Sequence, residues 1–164
     1  MHFEICILNL REAIMPRENS AGAIIFRVVN GEPHYLLLHY QTGHWEFAKG
    51  HIEKGESVED TVKREIEEET GIKEINIIPG FKEYSKYFFR KSYDLEGEEK
   101  KKAPWVFKLV IFLLVKTNTE EIKVSKEHIG FIWLPYEKAI KRVTYKNAKE
   151  LLKKANEFIK LIPQ

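Results

Sequence analysis

Thiols are nearly absent: Cys6 is the only cysteine among 164 residues. No disulfide can form within one chain, and a reducing cytoplasm is the expected setting. Long apolar runs are missing too. None approaches the roughly 20 residues that a membrane-spanning helix requires, so no membrane association is expected. The opening stretch MHFEICILNLREAIMPREN does not set a basic start before a long apolar segment, which argues against a secretory signal. Charge of one sign is not in excess either. Lys and Arg number 27 against 25 Asp and Glu, a formal net charge of +2. General nucleic-acid binding calls for a larger basic excess, so no stable nucleic-acid partner is expected.

What is present fits a soluble globular domain with one core: one-domain length, 43% hydrophobic and 32% charged residues. The charges are dominated by Lys and Glu in near balance, a composition that thermophile proteins use for ion-pair networks. Residues 1–19 read as an extension, with Met15 a second candidate start, and 20–164 as the domain.

AGAIIFRVV (21–29) is β-rich and runs into the turn signal NGEP, and HYLLLHY (34–40) completes a hairpin. A Gly-punctuated loop follows, with a short extended piece around Trp45 to Phe47. Ser57 and Asp60 form a capping box and Gly71 sits at a C-cap, which predicts a helix over 58–70. Strands are expected near 73–79, 80–90, 105–116 and 129–134. The polar stretch 91–104 reads as a long solvated hairpin loop. A short helix is expected near 135–142. Ala148, Leu151, Leu152, Ala155, Phe158, Ile159 and Ile162 recur at helical spacing and predict a C-terminal amphipathic helix. The sum is an α/β (α+β) architecture, a mixed sheet with helices packed against it.

The stretch REIEEETG (64–71) crowds four glutamates into eight positions, where like charges at helical spacing repel. On a wheel, Val58, Val62 and Ile66 define the core-facing arc. Glu69 falls inside that arc, Glu65 and Glu68 flank it, and Glu67 points to solvent. A buried carboxylate without a partner is costly. Lys63, Arg64 and water could neutralise the group. Alternatively, carboxylates at i, i+3 and i+4 form a patch suited to a hard divalent cation with oxygen ligands.

The preceding residues extend the pattern. Gly50, Glu56, Arg64-Glu65, Ile66, Glu68-Glu69, Gly71 and Ile72 give G-x5-E-x7-R-E-(aliphatic)-x-E-E-x-G-(aliphatic) without a departure. This resembles the signature of the Nudix hydrolases. The resemblance implies an α/β/α sandwich around a mixed sheet, and Mg²⁺- or Mn²⁺-dependent hydrolysis of a phosphoanhydride in a nucleoside diphosphate derivative. It implies that Glu65, Glu68 and Glu69 are metal ligands, joined by the main-chain carbonyl of Gly50. Arg64 is then expected to hold the carboxylates in place, and Glu56 to tie the loop to the helix, with Glu56 and Gly71 structural. The base that takes a proton from water is Glu69 or a second carboxylate.

Further stretches, SAGAIIFR, HWEFAKGHIEKGE, FKEYSKYFFR, and SKEHIGFIWL followed by TYKNAKELL, resemble the asymmetric diadenosine tetraphosphate hydrolases over roughly residues 20–161. That implies cleavage of diadenosine tetraphosphate to ATP and AMP. Lys49, Lys86 and Lys108 would contact phosphates. His44 would do the same, or is a surface histidine beside Trp45. Tyr87 and Tyr145 would stack on adenine, or simply pack. Glu127 would supply an extra carboxylate as metal ligand or base. The sequence departs from this subgroup at Ala48, where proline is usual, and a looser loop is expected there.

Overall fold

The computed structural model describes residues 15–92 and 95–162. Of the expected extension 1–19, residues 1–14 lie outside the described residues, and 17–19 belong to the first strand.

β1 (Arg17–Val29) and β2 (Glu32–Tyr40) form the expected hairpin, turned at Asn30 and Gly31, both with positive φ. β1 starts earlier than the sequence pattern suggested, because Arg17 already pairs in parallel with Phe107 of β6 (Trp105–Lys116). The loop after β2 is more ordered than expected. It contains β3 (Trp45–Glu46), paired with β2, and β4 (Ala48–His51), paired with β1. Ala48 does not loosen this segment: it is 2% exposed and lies opposite Ala23 in the ladder. Gly22 allows the close approach, since a Cβ there would lie 2.7 Å from the Ala48 carbonyl oxygen.

α1 (Val58–Thr70) begins at the Ser57–Asp60 capping box, with both reciprocal hydrogen bonds made. It ends at Gly71, whose φ of 73° is left-handed and whose N–H donates to the Glu67 carbonyl. Such a turn favours glycine. Two strands were expected over 73–90. The structure has one, β5 (Asn76–Arg90), interrupted where Pro79 offers no N–H and Gly80 takes a φ of 88°. Its register against β6 shifts between Ile77 and Lys82 and then runs on to Arg90. Within 91–104, read as a loop, a short exposed helix α2 (Gly97–Lys102) forms, with Glu98 and Glu99 in its first turn and lysines in its last. β7 (His128–Pro135), α3 (Tyr136–Arg142) and α4 (Lys146–Leu161) match the remaining expectations.

The sheet runs β3-β2-β1-β6-β5, with β4 on β1 and β7 on β2. Only the β1–β6 pair is parallel among the pairings described. α1 covers one face, where Val62 and Ile66 meet Ala23, Ile25, Leu36 and Leu113. α3 and α4 cover the other, where Ala148, Leu152 and Ile159 meet Ile24, Tyr35, Leu37 and Phe112. This is an α/β/α sandwich. The C-terminal half of β1 pairs with β2 and its N-terminal half with β4. α1 packs against β4 and β1, beside the point where β1 changes partner from β4 to β2.

Candidate active site

The wheel reading of α1 holds. Val62 and Ile66 are fully buried, Glu69 is 4% exposed and Glu65 9% exposed. Glu67 faces solvent and lies 3.6 Å from Lys73. The α1–β4 contact is what keeps Glu65 and Glu69 inside. The Lys49 N–H donates to Glu69 Oε2 at 3.2 Å. The Glu65 carboxylate lies flat against Gly50, and a Cβ at that position would overlap it. Glycine at 50 is therefore a steric requirement of the acidic site.

Arg64 organises the remaining carboxylates. Its Nε and Nη2 donate to Glu56 at 2.7 and 3.0 Å, and its Nη1 donates to Glu65 at 2.6 Å and Glu68 at 3.1 Å. Nη2 also donates to the His51 carbonyl at 2.9 Å. Glu56 accepts in addition from Thr61 Oγ1 and from the Glu53 N–H. The Arg64 hydrogen bonds hold the Glu56 carboxyl down to about 2, well below the usual range. Glu56 and Arg64 thus form a brace between the loop and α1, as the motif suggested.

Glu69 behaves in the opposite way. Burial pushes its carboxyl up to about 8, and the neighbouring charges of Glu65 and Glu127 add to the shift against the opposing effect of Lys49. Burial also raises Glu65, offset in part by Arg64. Carboxylates held close in a dry pocket resist ionisation unless a cation joins them. Among the described residues, no three His, Cys, Asp or Glu side chains stand in a ready coordination shell. Arg64 accounts for this, since it draws Glu65 and Glu68 towards its own fork. The donor set still suits a hard divalent ion: carboxylate side chains line the cleft beside Gly50, with no sulfur among the lining residues.

These carboxylates line a cleft of about 1300 Å³. The same cleft gathers every residue expected to touch metal or substrate, His44, Lys49, Gly50, Glu65, Glu68, Glu69, Lys86, Tyr87, Lys108, Glu127 and Tyr145, and also Arg64, expected to hold the carboxylates in place. Glu56 and Gly71, expected to be structural, do not line it. Glu127 is exposed on the loop before β7, tethered by the Gln41 N–H to its carbonyl at 3.1 Å. Lys108 is half-buried beside Phe89, with Nζ 5.9 Å from the ring, and burial lowers its ammonium. Lys86 is exposed, and Tyr87 is half-buried 6.4 Å from Phe89.

Three further residues were not singled out from the sequence. Tyr40, at the end of β2, stacks on His44 at 4.4 Å, meets His128 edge-on at 4.3 Å, and carries Lys49 Nζ 4.7 Å from its ring centre. Its hydroxyl donates to the Phe47 carbonyl at 2.9 Å. Glu46 is 8% exposed and accepts from Lys49 Nζ at 2.6 Å. His128 is buried, which pushes its imidazole down to about 4. Glu46 lies inside the HWEFAKGHIEKGE stretch and His128 follows Glu127 in SKEHIGFIWL, which are the signals the sequence offered.

His44 is not an isolated surface side chain. It lies between Tyr40 and Tyr145, 5.3 Å from the latter, and its Nδ1 meets Thr42 Oγ1 at 2.7 Å. The Trp45 N–H donates to Thr144 Oγ1 and the Thr144 N–H donates back to the Trp45 carbonyl. This pair of hydrogen bonds ties the His44 loop to the residue before Tyr145.

The NUDIX domain family matches residues 17–155. The chain belongs to the Nudix family. It is a Nudix hydrolase with 34% identity over 152 residues to the pig bis(5'-nucleosyl)-tetraphosphatase [asymmetrical], covering 85% of this chain and 94% of that protein. The crystal structure of a Caenorhabditis elegans Ap4A hydrolase binary complex superposes with a TM-score of 0.73 at 29% identity, covering 88% of this chain and 99% of that one. The RNA pyrophosphohydrolase of Nitratiruptor is 31% identical over 125 residues, covering 70% of this chain and 77% of that protein. Among the described residues of this Nudix hydrolase, no helix is long and apolar enough to cross a membrane.

Proposed function

We propose that this Nudix hydrolase cleaves a phosphoanhydride of a dinucleoside polyphosphate, splitting diadenosine tetraphosphate into ATP and AMP with Mg²⁺ or Mn²⁺. The observation that carries the reading is the polarity of the cleft. The carboxylates of Glu65, Glu68, Glu69 and Glu127 share one cleft with Lys49, Lys86 and Lys108 and with the rings of Tyr40, His44, Tyr87 and Tyr145. A polyphosphate bearing two adenines presents the complementary set of groups. The relatives named for asymmetric tetraphosphate cleavage support the same substrate.

In this reading Glu65, Glu68, Glu69, Glu127 and the Gly50 carbonyl hold the divalent cation. When bound, the cation offsets negative charge on the phosphate oxygens and lowers the pKa of attacking water. Lys49, Lys86, Lys108 and His44 bind the phosphate chain, with Glu46 steadying Lys49 and Tyr40 supporting Lys49 and His44. Tyr87 and Tyr145 stack on adenine. Arg64 keeps Glu56, Glu65 and Glu68 in place. Glu69 and Glu127 are the candidate proton acceptors for water. Glu69 is buried within the cluster, whereas Glu127 is exposed on the loop before β7. The lone cysteine is compatible with a reducing cytoplasm, and the Lys- and Glu-rich surface with a hot habitat.

A second substrate, the triphosphate end of RNA, is favoured by the Nitratiruptor relative. Comparing kcat/KM for diadenosine tetraphosphate and for a 5'-triphosphorylated RNA separates the two. Higher kcat/KM for the dinucleotide is expected, and preference for RNA overturns the assignment. A binding module without turnover is disfavoured because every glutamate of the signature is in place.

A further inference from the structure

Among the described residues, three buried side-chain polar atoms make no hydrogen bond: Ser20 Oγ, Arg27 Nε and His128 Nε2. Arg27 is paired through Nη1 with Glu120 at 3.0 Å. His128 Nε2 faces a carboxylate, Glu69 Oε2, at 4.0 Å. That is beyond hydrogen-bond reach, yet the side chain is completely enclosed. A buried polar atom left unpaired next to a potential partner calls for an explanation.

The surroundings of His128 fix its ring. Tyr40 packs edge-on against it. Ser125 Oγ lies 3.0 Å from Nδ1 and accepts the Glu127 N–H at 3.4 Å. A serine hydroxyl that donates to Nδ1 leaves the ring proton on Nε2, pointing at Glu69. The loop holding both residues is fastened to the end of α1. The Ser125 N–H donates to the Glu69 carbonyl at 3.2 Å and the Lys123 N–H to the Thr70 carbonyl at 2.9 Å. The His128 N–H closes the turn onto the Ser125 carbonyl at 3.1 Å.

We propose that His128 is a positioning residue whose Nε2–H donates a hydrogen bond to the Glu69 carboxylate, fixing the carboxylate for the cation and locking the loop of Glu127 to α1. Ser125 sets the tautomer. The inference rests on the reading of Glu69 as a metal ligand. A carboxylate steadied in this way binds metal more tightly, and loss of such a partner typically weakens metal affinity about 10- to 100-fold.

The test is Mn²⁺ binding by calorimetry to the substrate-free protein, for wild type, His128→Phe, His128→Gln and Ser125→Ala. Phenylalanine keeps the ring packing but has no donor, and glutamine carries an N–H at about the Nε2 position. The proposal expects about tenfold or greater weakening in His128→Phe and recovery to within about threefold in His128→Gln. Wild-type affinity in a folded His128→Phe overturns it, as does equal loss in both variants, which marks a packing role only. Should His128→Phe not fold, Ser125→Ala decides: a few-fold weaker Mn²⁺ affinity supports the proposal and unchanged affinity overturns it. A wild-type protein that takes up no Mn²⁺ refutes instead the reading of the acidic site itself.

Discussion

Glu69→Gln removes a charge that the metal-free fold resists forming. Burial lifts the Glu69 carboxyl from its usual 4.5 to about 8. The native state therefore holds a proton that the unfolded chain releases above pH 4.5. The stability this carboxyl contributes is complete below pH 4.5 and is lost as pH rises towards about 8. At pH 7 the gap of about 2.5 pH units, at about 1.4 kcal/mol each, is worth up to about 3 kcal/mol. Glutamine cannot ionise, and its carbonyl oxygen keeps the acceptor for the Lys49 N–H. In EDTA at pH 7 the variant should be more stable than wild type by up to about 3 kcal/mol, a rise in Tm of roughly 6–12 °C for a domain of this size. The gap should shrink at pH 5. Added Mn²⁺ should raise the wild-type Tm more than that of the variant, and the variant should lose most hydrolysis. This is the trade of stability for function expected at an active site. Thermal melts of both proteins in EDTA between pH 5 and pH 8 test it. A variant less stable than wild type at pH 8, or a pH slope equal to that of wild type, refutes the argument.

Gly50→Ala should preserve the fold but displace the Glu65 carboxylate, lowering Mn²⁺ affinity at least tenfold by calorimetry, the order seen when metal ligands lose their support. Tyr87→Ala should raise KM for diadenosine tetraphosphate more than it lowers kcat, and an unchanged KM removes Tyr87 from the binding surface. Ser57→Ala deletes the capping box of α1 and should cost about 1 kcal/mol in urea denaturation without altering the active-site residues.

The acidic helix was legible in the sequence because its signals are local. Capping at Ser57, the turn at Gly71 and the azimuth of Glu69 all follow from spacing within a few turns. The signature brought in Gly50, but the reason for glycine there is a contact with Glu65 that only the packed α1–β4 pair reveals. Tyr40, Glu46 and His128 escaped notice for a similar reason. Each is an ordinary residue in a strand or at its end, and its partners are distant in the chain or on the other side of a tight loop. Pro79 and Gly80 read as a strand break, yet pairing with β6 resumes after them because the β-rich run from Phe81 to Arg90 has a long partner. The helix over 97–102 was hidden by its polarity, since no residue of it is buried and no apolar period marks it.

The central claim is that the carboxylates of α1 serve a divalent cation, without which the anhydride is not broken. The direct measurement is a time course of diadenosine tetraphosphate hydrolysis by metal-stripped protein in EDTA, followed by addition of excess Mg²⁺ and separation of nucleotides. The account predicts no products before the addition and ATP and AMP in equal amounts after it. Cleavage that proceeds in EDTA, or two molecules of ADP in place of ATP and AMP, contradicts it.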